Sequence, residues 1–169
     1  MYKFPLPTDK DFTEAAAMLA VGTSKNELYR IGKFLACTSP HSHIGPFKWA
    51  IDFLVPDGTE VLASKDGQII EAVDSFREWG PSEEFRDKLN YLTIRHCGGE
   101  YSQYCHIAPG SFQDTGLKVG NYISTGQPIA HVGKTGWTDR DHLHFIVFRL
   151  GKLRGSPYCF YSLRIRFDT

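Results

Sequence analysis

Residues 49–73, WAIDFLVPDGTEVLASKDGQIIEAV, decide the fold class. Trp49, Ile51, Phe53 and Val55 alternate with Ala50, Asp52 and Leu54, the two-residue period of a strand. This period predicts Trp49 on the apolar core face and Asp52 facing the other way. Pro56-Asp57-Gly58 and Lys65-Asp66-Gly67 are turn sequences, and the runs Thr59 to Ala63 and Gln68 to Val73 read as short strands. Short strands joined by Asp-Gly turns predict a mainly β chain: an antiparallel sheet domain with long surface loops and little helix.

Downstream, Asp74 to Asn90 contains Gly80-Pro81 and mixed charges, and reads as a long surface loop of the kind that often serves function. Tyr91 to Cys97 and Tyr101 to Ile107 form a hairpin around Gly98-Gly99. With those two glycines as the whole turn, Tyr104 and His106 share one face with Tyr91 and Thr93, while His96 and Cys105 lie on the other. Tyr122-Ile123 and Ile129 to Val132 are further strands, and Gly133 to Asp141 is a loop. That loop leads into Asp141-His142-Leu143-His144-Phe145. On a strand, residues two apart share a face, so His142 and His144 look into one cleft while Leu143 and Phe145 face the core.

Upstream, Asp11 to Ala20 is Ala-rich and favours a short helix. Tyr29 to Cys37 reads as either a further strand or an irregular lead-in. At the other end, Tyr158 to Phe167 suggests a closing strand.

Composition excludes several classes. A chain of 169 residues is sized for one domain. Its formal net charge of zero, with no basic block, argues against a dedicated nucleic-acid binder or a polybasic membrane anchor. No apolar run reaches bilayer-spanning length. Residues 1–7 have no continuous apolar run after Lys3, and Ala15 to Val21 lies behind Asp9, Asp11 and Glu14, the wrong flank for a signal peptide. Cys37, Cys97, Cys105 and Cys159 form no CxxC pair, so thiolate zinc ligation is not expected and each reads as a free thiol; a Cys37–Cys159 bridge stays open.

Histidines and one carboxylate carry the chemistry. A hydrolytic zinc site takes three protein ligands and leaves a fourth position for water. The candidates are His41 or His43 before the first strong strand, Asp52 within it, His106 on the hairpin, and His142 with His144 near the end. They exceed what a zinc ion needs, so some of them are expected to act as acid or base. His96 reads as structural or exposed, and His131 as a satisfied histidine rather than a ligand. Trp79 and Trp137 sit in loops, where they line a cleft or simply pack, and Trp49 reads as core.

Four blocks, SHIGPFKWAIDFLVPDGTEVLASKDGQI (42–69), YLTIRHCGGEYSQYCHI (91–107), VGNYISTGQPIAHVGKTGWT (119–138) and DHLHF (141–145), resemble in order and spacing the lysostaphin-type, LytM-like zinc metallopeptidases. These enzymes cleave peptide bonds of bacterial peptidoglycan and related cell-wall peptides. The resemblance implies a catalytic domain over residues 40–150, preceded by a lead-in segment, 1–39, and followed by a tail, 151–169. It implies one Zn2+ held by His43, Asp52 and His144, with His106 and His142 as catalytic histidines. The family's usual first motif places three residues between His and Asp. Here Ile44 to Ile51 intervene, as in a longer branch of the family ending in aromatic-Ala-Ile-Asp-Phe, and His43 is preferred to His41. Arg140-Asp141 stand where the family usually has Gly-Pro before its paired histidines.

The function implied is zinc-dependent endopeptidase action on peptidoglycan stem or cross-bridge peptides, with peptidoglycan or another peptide as partner, and neither nucleic acid nor a membrane segment. The alternative is a catalytically silent wall-binding or hydrolase-regulating module of the same fold. A second likeness, of Gly58 to Gly67 and Gly120 to Gly133 to biotinyl and lipoyl carrier hairpins, leaves the histidines unexplained. The substrate class implied is extracellular or cell wall, whereas no signal peptide is read, so the sequence assigns no compartment.

Overall fold

In the computed structural model, which describes residues 1–168, one large, almost wholly antiparallel sheet organises the chain. In chain order come α1 (Thr13–Leu19), β1 (Leu28–Ile31), β2 (Phe34–Cys37), β3 (Ile51–Phe53), β4 (Glu60–Leu62), β5 (Gly67–Val73) and β6 (Trp79–Gly80). They are followed by β7 (Tyr91–Arg95), β8 (Glu100–Cys105), α2 (Ser111–Thr115), β9 (Tyr122–Ile123), β10 (Pro128–His131), β11 (Gly136–Trp137), β12 (Leu143–Leu150) and β13 (Phe160–Ser162). The sheet runs β1-β2-β3-β12-β8-β7-β5-β9, and β13 pairs with the far half of β12. Two small pairs complete the strands, β10 with β4 antiparallel and β6 with β11 parallel. Among the described residues no helix is long and apolar enough to cross a membrane.

Strand β12 lies between β3 and β8 because its run Leu143 to Val147 is apolar on the core face and has no turn former to interrupt it. Leu143, Phe145 and Val147 are buried in the core with Ile51 and Phe53 of β3 and with Leu92, Ile94, Ile69 and Tyr104. Phe4, Phe34, Phe53 and Phe167 pack ring against ring beneath the sheet, so the first residues and the last described ones close the same core. Phe4, Phe34 and Phe53 are buried and each stabilises the fold by about 2–3 kcal/mol, with Phe167 partly buried against them.

Tyr104 is a large polar side chain fully buried in this core. Its hydroxyl oxygen accepts the Ser64 backbone N–H at 2.9 Å and lies 3.2 Å from Ser102 Oγ. Ser102 Oγ in turn meets His96 Nε2 at 2.8 Å, and His96 Nδ1 meets the Asp66 carbonyl at 2.8 Å, as its N–H tautomer would. Tyr104→Phe should therefore lower stability by about 1–3 kcal/mol, because the Ser64 N–H is left buried without an acceptor. Urea denaturation against Tyr101→Phe, on the opposite face, checks it: an equal cost for both would mean that the network contributes nothing.

Several expectations change in three dimensions. The hairpin turn uses Cys97, Gly98 and Gly99, with the His96 N–H donating to the Glu100 carbonyl, so Tyr104 faces Leu92 and Cys105 faces Tyr91. One extra turn residue slips the register by one and exchanges the faces. His96 thus shares the core face with Tyr104, while Tyr91 and Thr93 point away from it. Trp49 is not core. A 3-10 turn at Gly45–Phe47 delays β3 until Ile51, and the Trp49 indole lies 38% exposed between the Lys48 and Arg164 cations, 5.0 and 5.3 Å from its ring. The segment 74–90 carries β6 and a 3-10 helix at Glu83–Lys88 rather than loop throughout, and Tyr29 to Cys37 is strand, the β1–β2 hairpin. Cys37 and Cys159 are both free.

Candidate metal centre

The site forms where three neighbouring strands present side chains to the face away from the core. Asp52 on β3 lies directly opposite His144 on β12, and His144 lies opposite Cys105 at the end of β8. Since Ile51 and Phe53 point into the core, Asp52 points to the other face, and the strand pairing holds its carboxylate against the His144 imidazole. His144 Nδ1 lies 2.8 Å from Asp52 Oδ1.

His43 arrives from outside the sheet. Its backbone N–H donates to the Ser39 carbonyl at 2.7 Å, a tight turn that swings the imidazole over Asp52. Ser39 Oγ donates to Asp52 Oδ2 at 2.8 Å, so one turn both delivers His43 and orients the carboxylate. His43 Nε2 lies 3.2 Å from the same Oδ2, out of line for a hydrogen bond, and neither ring nitrogen has a hydrogen-bond partner among the described residues although the side chain is only 4% exposed. His41 is exposed and lies outside the cluster. One ligand atom each from His43, Asp52 and His144 fall within 4.8 Å of one another.

His106 and His142 stand beside this trio, their ring centroids 4.5 Å apart, with His106 6.1 Å from the ring of His144. A strand continued past Cys105 would turn His106 into the core like Tyr104. Instead His106 has φ 61°, the only described non-glycine residue with positive φ, and this left-handed step ends β8 and brings the side chain out to the site. Its Nδ1 meets the Thr135 carbonyl at 2.7 Å, and its own carbonyl accepts the Gly133 N–H at 2.8 Å. Gly133 has to be glycine, because a Cβ there would come within 2.6 Å of the Ala108 backbone. His142 Nδ1 meets the Arg140 carbonyl at 3.0 Å, and its Nε2 lies 3.8 Å from Asp52 Oδ1. A carbonyl only accepts, so both imidazoles carry their proton on Nδ1 and turn the Nε2 lone pair to the site.

Burial alone would raise the pKa of Asp52, but the facing His142, His144 and His43 imidazoles bring it well below the usual carboxylate range. Burial, then the neighbouring His142 and His144, push His106 down to about 3, and burial likewise lowers His142 against the pull of Asp52. Unfolded His106 takes a proton near pH 6.5 and the folded residue only near 3, so below pH 6.5 the unfolded chain binds more protons and folding weakens. In the metal-free protein this one residue should remove about 2 kcal/mol between pH 7 and pH 5. His106→Asn, which tolerates the left-handed backbone, should flatten that slope in urea denaturation; an unchanged slope would show that His106 does not titrate this way.

The structure brings together His43, Asp52, His106, His142 and His144, the residues the resemblance names, together with supports that the sequence did not point to. Thr135 and Arg140 act through backbone carbonyls, which leave no side-chain signature, and Ser39 is a common turn residue until folding lays it on Asp52. The Arg140 guanidinium binds Asp139, the Leu19 carbonyl and Thr23 Oγ1, tying residues 19–23 to the loop before His142. Asp141 touches no imidazole. Its carboxylate accepts the Asp57 N–H at 3.2 Å and lies 3.8 Å from Lys134 Nζ. Trp79 and Trp137, each 45% exposed, sit on the β6–β11 pair, with Lys134 over the first ring and Arg86 over the second.

Two imidazoles and one carboxylate converging on a point, with two neutral imidazoles alongside, are the make-up of a metallohydrolase centre. The model of Peptidase family M23 matches residues 46–155, and the chain belongs to this family. It is 30% identical to lysostaphin from Staphylococcus simulans over 101 residues, 60% of this chain and 18% of lysostaphin. It is 33% identical to the murein hydrolase activator EnvC from Escherichia coli over 96 residues, 57% of this chain and 19% of EnvC. The chain thus spans less than a third of the length of the curated relatives it matches. A mutant catalytic domain of the prophage-encoded M23 protein EnpA from Enterococcus faecalis shares the fold, with a TM-score of 0.51 at 19% identity over 73% of this chain and 86% of that one.

Proposed function

We propose that this chain is a zinc-dependent endopeptidase hydrolysing peptide bonds of peptidoglycan stem or cross-bridge peptides. The observation that carries the reading is His43, a buried imidazole with both nitrogens unpartnered beside an ionised, buried Asp52 and a third ligand candidate, His144. A buried polar atom left without a partner costs about 1–3 kcal/mol, and a cation would relieve it. The nitrogen and oxygen donor set suits zinc, and the likeness to lysostaphin supports a cell-wall peptide as substrate. The catalytic unit would be residues 40–150, with 1–39 as lead-in and 151–169 as tail.

His43, Asp52 and His144 would hold the metal. When bound, zinc supplies Lewis acidity, polarising a carbonyl and bringing the pKa of a water to about 7. His142 Nε2 is the better placed proton acceptor, because the imidazolium it becomes faces Asp52. It then returns the proton to the departing amine. His106 has no carboxylate partner within ion-pair distance among the described residues and is pushed down to about 3 by burial and its neighbours, so it remains neutral and orients the water or the substrate N–H by accepting a hydrogen bond. Thr135 and Arg140 keep both imidazoles in the tautomer that this division of labour needs.

The likeness to a murein hydrolase activator favours a second reading, a module that binds the wall or a hydrolase without turnover. One experiment separates them: metal content per chain, then release of new amino groups from purified peptidoglycan with and without chelator. Bound zinc with chelator-sensitive release supports the endopeptidase. Wall binding by a chain that takes up no zinc supports the regulator.

A further inference from the structure

The site face of the sheet continues past His144 into an open trough of about 510 Å³ that the catalytic machinery does not use. Its floor is the next two rows of side chains on β12, β8 and β7: Ile146 opposite Gln103, with Gln103 opposite Thr93, and Phe148 opposite Tyr101. One wall is Phe47, from the 3-10 turn that follows His43, set edge-on against Phe160 of β13. Phe160 lies beyond the matched span 46–155, so the tail supplies one of the two rings of this wall.

Glu71 forms the opposite wall. Between Ile69 and Glu71 the pairing of β5 with β7 shifts by one residue. Without that bulge Glu71 would fall out of step with Thr93; with it, Glu71 lies opposite Thr93 and faces the trough. The carboxylate accepts a hydrogen bond from Thr93 Oγ1 at 2.6 Å, and Thr93 Oγ1 accepts one from Gln103 Nε2 at 2.9 Å, which fixes the carboxylate in place. Glu71 is the only charged residue lining the trough, and no described cation pairs with it. Arg95, the nearest candidate by register, donates to Gln68 instead.

An exposed, oriented and unpaired carboxylate at the edge of a largely apolar trough favours one chemical group, an ammonium, which gains an ion pair there while its aliphatic stem lies along the trough floor. We propose that this trough receives a substrate residue with an ammonium-bearing side chain, and that Glu71 is its specificity-determining residue. The inference rests on the peptidase reading for its substrate. Glu71 lies about three strand spacings across the sheet and two residues along it from His144, within reach of a long side chain three or four residues from the scissile bond.

The test uses the zinc-loaded full chain and two terminally blocked pentapeptides, Gly-Gly-Lys-Gly-Gly and its norleucine counterpart, which differ by the ammonium alone. Binding is followed by calorimetry and by amide shifts around Thr93 and Gln103. The lysine peptide should bind about three- to fivefold more tightly, with the preference shrinking in high salt and vanishing in Glu71→Gln. That variant is isosteric and exposed, and it keeps an acceptor for Thr93, so its fold should not change. Equal binding of both peptides, binding of neither, or a lysine preference that survives in Glu71→Gln would overturn the proposal. Amino-group release from peptidoglycan in the same preparation reports separately on the peptidase reading. Its absence with the lysine preference intact would refute turnover and leave the trough assignment standing.

Discussion

Asp52→Ala should lower bound zinc from about one ion per chain to near none, and peptidase activity should fall with it below detection. The reason is the position of this carboxylate at the hub of the centre. Its two oxygens face His43, His142 and His144 and take the Ser39 hydroxyl, so its removal would take away a proposed ligand and the negative charge that would balance a cation. Asp52→Asn should also fail, since the amide keeps the volume but not the charge. Metal analysis after dialysis reads the outcome, with circular dichroism and urea denaturation as controls for folding. Stoichiometric zinc in Asp52→Ala would remove this residue from the ligand set, and with it the assignment of the whole centre. Ser39→Ala should act in the same direction but more weakly, by about tenfold in metal affinity, because it loosens the carboxylate without deleting it.

His142→Ala should produce the opposite dissociation between metal and rate. Zinc content should stay near that of the unaltered chain, while kcat falls by about 100- to 10,000-fold, the usual worth of a positioned acid or base. His142 lies just before β12, its Nδ1 held by the Arg140 carbonyl and its Nε2 turned to the site, and it is not one of the three groups whose ligand atoms could converge on a metal ion. The depressed pKa of His142 gives the pH profile its sign: the imidazole must be neutral to accept the proton, so kcat/KM should fall as the medium acidifies through that pKa, and this acid limb should be absent from the residual activity of the alanine variant. Loss of zinc together with activity would instead make His142 a ligand. Unchanged activity on peptidoglycan would refute its catalytic role.

Much of this centre was legible because the residues that carry it are local signals. His142 and His144 at a two-residue spacing, followed by a hydrophobic strand, specify a shared face, and Asp52 among apolar neighbours at alternate positions specifies a strand carboxylate on the far face. Where the period ran through a regular strand, as from Leu143 to Val147, the reading and the structure agree. Where a single backbone event interrupts the period, they part. The third residue in the hairpin turn exchanges the two faces of β7 and β8 relative to the two-residue turn expected. The delayed start of β3 puts Trp49 on the surface. The left-handed step at His106 rescues for the site a side chain that strand alternation would have buried.

By itself, then, the sequence determined the mainly β architecture, the family and the residue types at the centre, because short-range periodicity, turn chemistry and motif order are all local properties of a chain. Only the tertiary structure decided which residues meet. It laid His43, already preferred in the sequence, beside Asp52 through the turn at Ser39, fixed both tautomers through the carbonyls of Thr135 and Arg140, and set Glu71 across from Phe160 to form a trough. Those choices depend on strand register, on one bulge and on backbone groups from segments far apart in the chain, and such relations exist only once the sheet has closed.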